Sequence, residues 1–87
     1  MSHVEIYTSA ACGYCSAAKR FLAGKGLAPV EYRIDLDPRR YAEMLERSAQ
    51  RRTVPQIFVN GNHVGGYDDL VRLDREGGLA ALLENAP

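Results

Sequence analysis

Cys12 and Cys15 are the two cysteines of the chain, with Gly13 and Tyr14 between them. They lie in Thr8–Arg20 (TSAACGYCSAAKR), after an apolar alternation, Val4-Glu5-Ile6-Tyr7-Thr8. A helical pattern follows, in which Ala18, Phe21 and Leu22 recur at three- and four-residue spacing. A Cys-x-x-Cys pair between a strand and a helix sets its first sulfur at the helix N-terminus. Unpaired backbone N–H groups converge there, and the positive end of the helix dipole favours a thiolate. At the N-cap, Cys12 accepts from the N–H groups of Tyr14 and Cys15 and is the candidate nucleophile. Cys15, one turn inside the helix, is less exposed and is positioned to attack a mixed disulfide on Cys12. The competing chemistries are weaker. A disulfide closing so short a loop explains little stability. Zinc normally takes four ligands, and only His3 and His63 remain as obvious donors.

The elements that must hold this pair follow from the patterning. Val4–Thr8 reads as a first strand, rich in β-branched residues. The helix after the cysteines runs from Gly13 to about Gly24, where Gly24-Lys25-Gly26 supplies a stop. Val30–Ile34 alternates as a second strand, which completes a βαβ unit with parallel strands. Asp37-Pro38 is an N-cap followed by proline in the first turn of a second helix, with Tyr41, Met44, Leu45 and Ser48 on one face. Thr53-Val54-Pro55 leads into the strand Ile57-Phe58-Val59. Asn60-Gly61 is a two-residue hairpin turn, and His63-Val64 is the returning strand. Gly65-Gly66 ends that strand. Tyr67-Asp68-Asp69 opens a third helix with Leu70 and Leu73 on its inner face, and the plain role for an aspartate there is the N-cap. Gly77-Gly78 precedes a last helical pattern with Leu79, Leu82 and Leu83. Tyr32 and Tyr41 are packing residues. The order predicts an α/β chain: one four-stranded mixed sheet with helices on both faces and the cysteine turn at the C-terminal edge of the first strand.

At 87 residues the chain is expected to form one domain, residues 1–87, around a single core. Eleven basic and eleven acidic residues cancel, which removes electrostatic capture of nucleic acid or a membrane surface as an expected role. No apolar run approaches the roughly 20 residues of a membrane span. Met1-Ser2-His3-Val4-Glu5 has neither a basic segment nor an apolar signal region, so a cytoplasmic protein is expected. In a reducing compartment a lone Cys-x-x-Cys is catalytic or metal-binding rather than structural.

Four segments taken together, in order and spacing, resemble the glutaredoxins, and more narrowly their small bacterial dithiol type. They are Val4–Thr8, Cys12-Gly13-Tyr14-Cys15, Thr53-Val54-Pro55-Gln56-Ile57-Phe58 and Gly65-Gly66-Tyr67-Asp68-Asp69-Leu70, so the resemblance covers nearly the whole chain. It implies the thioredoxin fold and a glutathione-dependent disulfide oxidoreductase, a monomer that reduces protein disulfides and removes glutathione from protein thiols. By the same resemblance Pro55 is a cis-proline facing the cysteines, with the Val54 N–H and C=O turned toward the cleft. An extended thiol peptide then docks along Thr53 and Val54 by main-chain hydrogen bonds. Gly66, Tyr67, Asp68 and Asp69 anchor the γ-glutamyl group of glutathione. Its carboxylate meets N–H groups at the helix start, and its ammonium meets Asp68 or Asp69. Tyr14 stands beside the tripeptide as an apolar wall with a polar tip.

The sequence departs from the family pattern in three places. Ser9 stands where a lysine three residues before the first cysteine is frequent, and that lysine is expected both to stabilise the thiolate and to meet the glycyl carboxylate of glutathione. A basic or amide residue frequent early in the second helix falls at Ala42. Arg39, Arg40, Arg51 and Arg52 are the cations near enough in sequence to compensate. Gly13 replaces a frequent proline. Relatives with Gly or Ser there sometimes bind a [2Fe–2S] cluster between two subunits through the first cysteine and glutathione, so a cluster scaffold is the alternative function.

Overall fold

β1, Val4–Thr8, lies inside the sheet and is buried along its whole length. The computed structural model describes residues 3–84. The remaining elements are α1 (Gly13–Gly24), β2 (Val30–Arg33), α2 (Pro38–Arg47), β3 (Gln56–Val59), β4 (Asn62–Gly65), α3 (Tyr67–Arg75) and α4 (Gly78–Glu84). The sheet order is β2-β1-β3-β4. β1 pairs in parallel with β2, Thr8 opposite Arg33, and antiparallel with β3, Ile6 opposite Ile57. β3 and β4 form the hairpin about Asn60-Gly61, both at positive φ as that turn requires.

The period of two in the strands sorts side chains onto two faces. Val4, Ile6, Ile57 and Val59 pack with Ala18, Leu22, Leu70 and Leu79 from α1, α3 and α4. Tyr7 and Phe58 point the other way and pack with Met44 of α2, flanked by Tyr32, Tyr41, Leu45 and Val54. Helices therefore cover both faces, as the patterning predicts. Under α2 the contact is partly ionic. Arg47 grips Glu5 through two bonds of 2.9 and 3.1 Å and donates to the Tyr7 hydroxyl at 2.7 Å, while that hydroxyl donates to Glu43. The Arg47 bonds hold the Glu5 carboxyl below its ordinary range, and burial pushes the Tyr7 phenol up to about 12.

Several boundaries move. β2 closes at Arg33, although the Ile34 N–H still reaches Thr8 O at 2.9 Å. β3 begins a residue earlier than the apolar run, at the buried Gln56. Ser48 lies past the end of α2 as its C-cap, where its buried hydroxyl accepts from Arg51 N–H at 3.2 Å. Ala49 and Gln50 follow at φ of 57° and 71°, and Gln50 N–H bonds back to Leu45 O at 2.7 Å. That bond makes the end of α2 a Schellman turn built on alanine instead of glycine. The N-cap of α3 is Gly66, not an aspartate, and α4 starts at Gly78, so Gly77 alone makes the break.

Candidate active site

Cys12 is the N-cap of α1, with extended backbone angles and its sulfur at the helix start. It accepts from the Cys15 N–H at 3.1 Å. Of the two amides expected from the sequence, the structure gives this one. The two sulfurs are joined as a disulfide across a Cα separation of 5.2 Å. Cys15 is buried at 2% exposure, whereas Cys12 is only partly covered. The pair is thus asymmetric: an incoming sulfur meets Cys12 first. With the disulfide opened, a Cys12 thiolate sits on the positive end of a three-turn helix, the condition that lowers a thiol pKa.

The loop between α2 and β3 crosses in front of the cysteines. The Val54–Pro55 bond is cis, and the Val54 carbonyl oxygen lies 3.8 Å from Cys12 Sγ. Tyr14, Thr53–Pro55 and Gly66–Asp69 line one cavity of about 310 Å³, so the residues that the resemblance implies for glutathione binding fall on the same cleft. Tyr14 stands 65% exposed on its rim, its ring 6.2 Å from that of Tyr67, which in turn meets Phe21 edge-on. Arg51 lines the cleft as well.

The two aspartates separate here. Asp69, at the third position of α3, accepts from Gly66 N–H at 2.9 Å, Arg51 at 3.3 Å and Arg72 at 2.8 Å. The Gly66 bond first, then burial opposed by the Arg51 bond and charge, sets its carboxyl below the ordinary value. Asp69 is an internal strut. Gly65 makes room for it: its φ is 115°, and a side chain there would run into the Asp69 carboxylate and the Arg51 guanidinium. Asp68 is exposed on the same cleft and makes no such bond among the described residues.

A second cavity, about 430 Å³, is lined by Cys12 itself together with Ser9, Lys19, Glu31 and Arg33. Lys19 pairs with Glu31 at 3.1 Å, and the Thr8 hydroxyl donates to Glu31 at 2.6 Å. Arg33 grips Asp35 through bonds of 2.8 and 2.6 Å, which hold that carboxyl down to about 2. Lys19 and Arg33 are therefore the cations beside Ser9, and sequence proximity did not nominate either. The parallel register that sets Arg33 opposite Thr8 was the available signal. Of the nominated arginines, Arg39 pairs with Asp37, Arg40 lies over the Tyr32 ring and pairs with Glu43, and Arg51 reaches the cleft. Arg52 is exposed and lines neither cavity. Ala42 is exposed on α2.

Among the described residues no group of three or more His, Cys, Asp or Glu is placed to hold a metal ion, and no helix is long and apolar enough to cross a membrane.

Known proteins resemble the chain in sequence and in fold. The sequence model described as Glutaredoxin matches residues 4–64. Glutaredoxin 3 of Escherichia coli K12 is 49% identical over 84 residues, covering 97% of this chain and 100% of that protein. A glutaredoxin of Neisseria meningitidis serogroup A is also 49% identical over 84 residues, covering 95% and 98%. Among solved structures, the glutaredoxin of Brucella melitensis superposes with a TM-score of 0.78 at 49% identity, covering 93% of this chain and 87% of that one. A buckwheat glutaredoxin–glutathione complex gives 0.83 at 28% identity, covering 95% and 77%. A helix-capping Cys-x-x-Cys pair, a four-stranded mixed sheet and 49% identity over nearly the full chain converge: the chain belongs to the glutaredoxin family, with its thioredoxin fold and thiol–disulfide oxidoreductase chemistry.

Proposed function

We propose that the protein is a glutathione-dependent reductant of protein disulfides and glutathionylated protein thiols. It would work as a monomer in a reducing cytoplasm, with Cys12 as nucleophile and Cys15 as resolving thiol. The observation that carries this reading is the cleft beside Cys12. It runs from the Thr53–Val54 main chain to the start of α3 and ends at the exposed Asp68 carboxylate. A γ-glutamyl group brings a carboxylate for the helix-start N–H groups and an ammonium for Asp68. The cysteinyl main chain pairs with Val54 in the manner of an added strand, which sets its sulfur near Cys12 Sγ. Tyr14 covers the outer side of the tripeptide. The glutathione bound by the buckwheat relative supports the same assignment.

The exchange balances in two ways. With a glutathionylated substrate, the Cys12 thiolate attacks the glutathione sulfur, the old S–S bond breaks and the substrate leaves as a thiolate. A second glutathione thiolate then attacks the bound glutathione sulfur, releasing oxidised glutathione and restoring Cys12. With a protein disulfide, Cys12 attacks one sulfur and Cys15 attacks Cys12 in the mixed disulfide. The substrate leaves as a dithiol, and the protein is left with the Cys12–Cys15 disulfide, the state seen in the structure. Two glutathiones reduce it.

Glutathione specificity is tested by turning the protein over with glutathione, cysteine or 2-mercaptoethanol at equal thiolate concentration. Glutathione is expected to be faster by well over tenfold. Equal rates for all three would show that the cleft does not recognise the tripeptide.

A further inference from the structure

Gln56 is fully buried and follows Pro55 directly, at the start of β3. Its amide nitrogen donates to the Thr53 carbonyl at 3.0 Å and to the Thr53 hydroxyl at 3.3 Å. Its amide oxygen lies 2.7 Å from His63 Nε2 on β4. The Thr53 carbonyl is an acceptor only, so the Gln56 nitrogen must face it and the oxygen must face His63. His63 Nε2 therefore carries the hydrogen. The His63 ring, exposed on the edge strand, stacks on Phe58 with centroids 4.9 Å apart, and the Arg47 guanidinium lies 4.0 Å from the same Phe58 ring. A chain of held groups runs from β4 through the sheet face to the loop in front of Cys12: His63, Gln56, Thr53, then Val54. Thr53 itself is exposed, outside any strand or helix. Its two polar groups on this side are tied by one buried amide.

A strand-like docking edge works only if its N–H and C=O groups point where the incoming main chain needs them. We propose that Gln56 and His63 are positioning residues for thiol-peptide binding. His63 orients the Gln56 amide, and Gln56 holds the Thr53–Val54 main chain in hydrogen-bonding register with the substrate. The proposal deepens the glutathione reading above and rests on it for the identity of the ligand. His63 lies on the edge strand and lines neither the cleft nor the cavity at Cys12, so a change there is expected to be read at the cleft through Gln56.

The test uses Gln56→Met, which keeps the volume and loses both ends of the relay. It is paired with His63→Phe, which keeps the stack on Phe58 and loses the donor, and with His63→Gln, which restores a donor. For a glutathionylated peptide, KM is expected to rise about three- to tenfold in Gln56→Met, the scale of one net hydrogen bond. His63→Phe should show a smaller rise in the same direction, and His63→Gln should recover most of it. The rate of Cys12 alkylation by iodoacetamide and kcat at saturation should stay within about twofold of the parent, since the helix start is untouched. Unchanged KM in both Gln56→Met and His63→Phe overturns the proposal. So does a loss of alkylation rate in step with KM, which would mean general collapse of the site. ¹⁵N relaxation of Val54, read with no substrate present, tests the relay independently of what the cleft binds. The order parameter should be near the rigid value of about 0.85 in the parent and fall toward 0.6 in Gln56→Met. No change in order would overturn the relay even if glutathione recognition held, whereas loss of order with no glutathione preference in the parent would uphold the relay and overturn the ligand.

Discussion

The Asp69 carboxylate and the Arg51 guanidinium meet at 3.3 Å across the start of α3, so the second of two adjacent aspartates braces the cleft while the first faces it. Asp69→Asn should lower stability by roughly 1–2 kcal/mol, because it weakens the bond to Gly66 N–H and two ion pairs at a helix N-terminus. Asp68→Asn should leave the melting temperature within about 2 °C, as surface changes do, and raise KM for a glutathionylated peptide several-fold. Melting curves and steady-state kinetics on both variants check the division. A large KM effect confined to Asp69→Asn with no loss of stability would reverse it.

Acid should destabilise the fold through carboxylates held below their ordinary values. Glu5 is lowered from 4.5 chiefly by its bonds to Arg47, and Asp69 from 3.8 chiefly by Gly66 N–H. A depressed carboxyl contributes stability that is complete above its unfolded value and is lost as pH falls through the folded one. Melting temperature should therefore be flat from pH 7 to about 5 and fall below about 4.5. Glu5→Gln should start lower at pH 7 and fall less steeply below pH 4.5, since its part of the linkage is gone. Parallel curves for parent and variant would remove the Glu5–Arg47 pair from the account.

The turn after α2 offers a gain. Ala49 sits at φ 57° where a glycine would carry no Cβ penalty. Relief of the left-handed conformation, about 1–2 kcal/mol, exceeds the 0.4–1 kcal/mol that glycine costs through the unfolded chain. Ala49→Gly should raise the melting temperature by roughly 3–6 °C in a domain this size. A lowered melting temperature would mean that the Ala49 methyl makes a contact that outweighs the strain.

The sheet, its order of elements and the capped thiol were legible because each rests on local chemistry, whereas the cleft residues were named from the resemblance. Alternation marks Val4–Thr8, Asn60-Gly61 makes a turn, and a Cys-x-x-Cys before an apolar helical pattern marks a capped thiol. The sequence did not show which aspartate is free, because that depends on where Arg51 and Arg72 reach once α2 and α3 are packed. It offered Arg39, Arg40, Arg51 and Arg52 as substitutes for the missing cations, and of these Arg51 reaches the cleft, while Lys19 of α1 and Arg33, set opposite Thr8 by the parallel pairing, share a cavity with Ser9. Gln56 looked like part of a family segment. Its amide bridge to Thr53 and His63 appears only when the hairpin closes.

On the proposed mechanism Cys12, and not Cys15, attacks the glutathione sulfur held in the cleft. The most direct test mixes a glutathionylated peptide with reduced Cys15→Ser and Cys12→Ser variants, quenches with acid and reads intact masses and peptide maps. Cys15→Ser should gain one glutathione on Cys12 within the dead time of mixing and release the peptide as a free thiol. Cys12→Ser should gain almost nothing over the same interval, because Cys15 is buried behind the helix start. An adduct with the peptide instead of glutathione on Cys12, or equal labelling of Cys15 in Cys12→Ser, would contradict it.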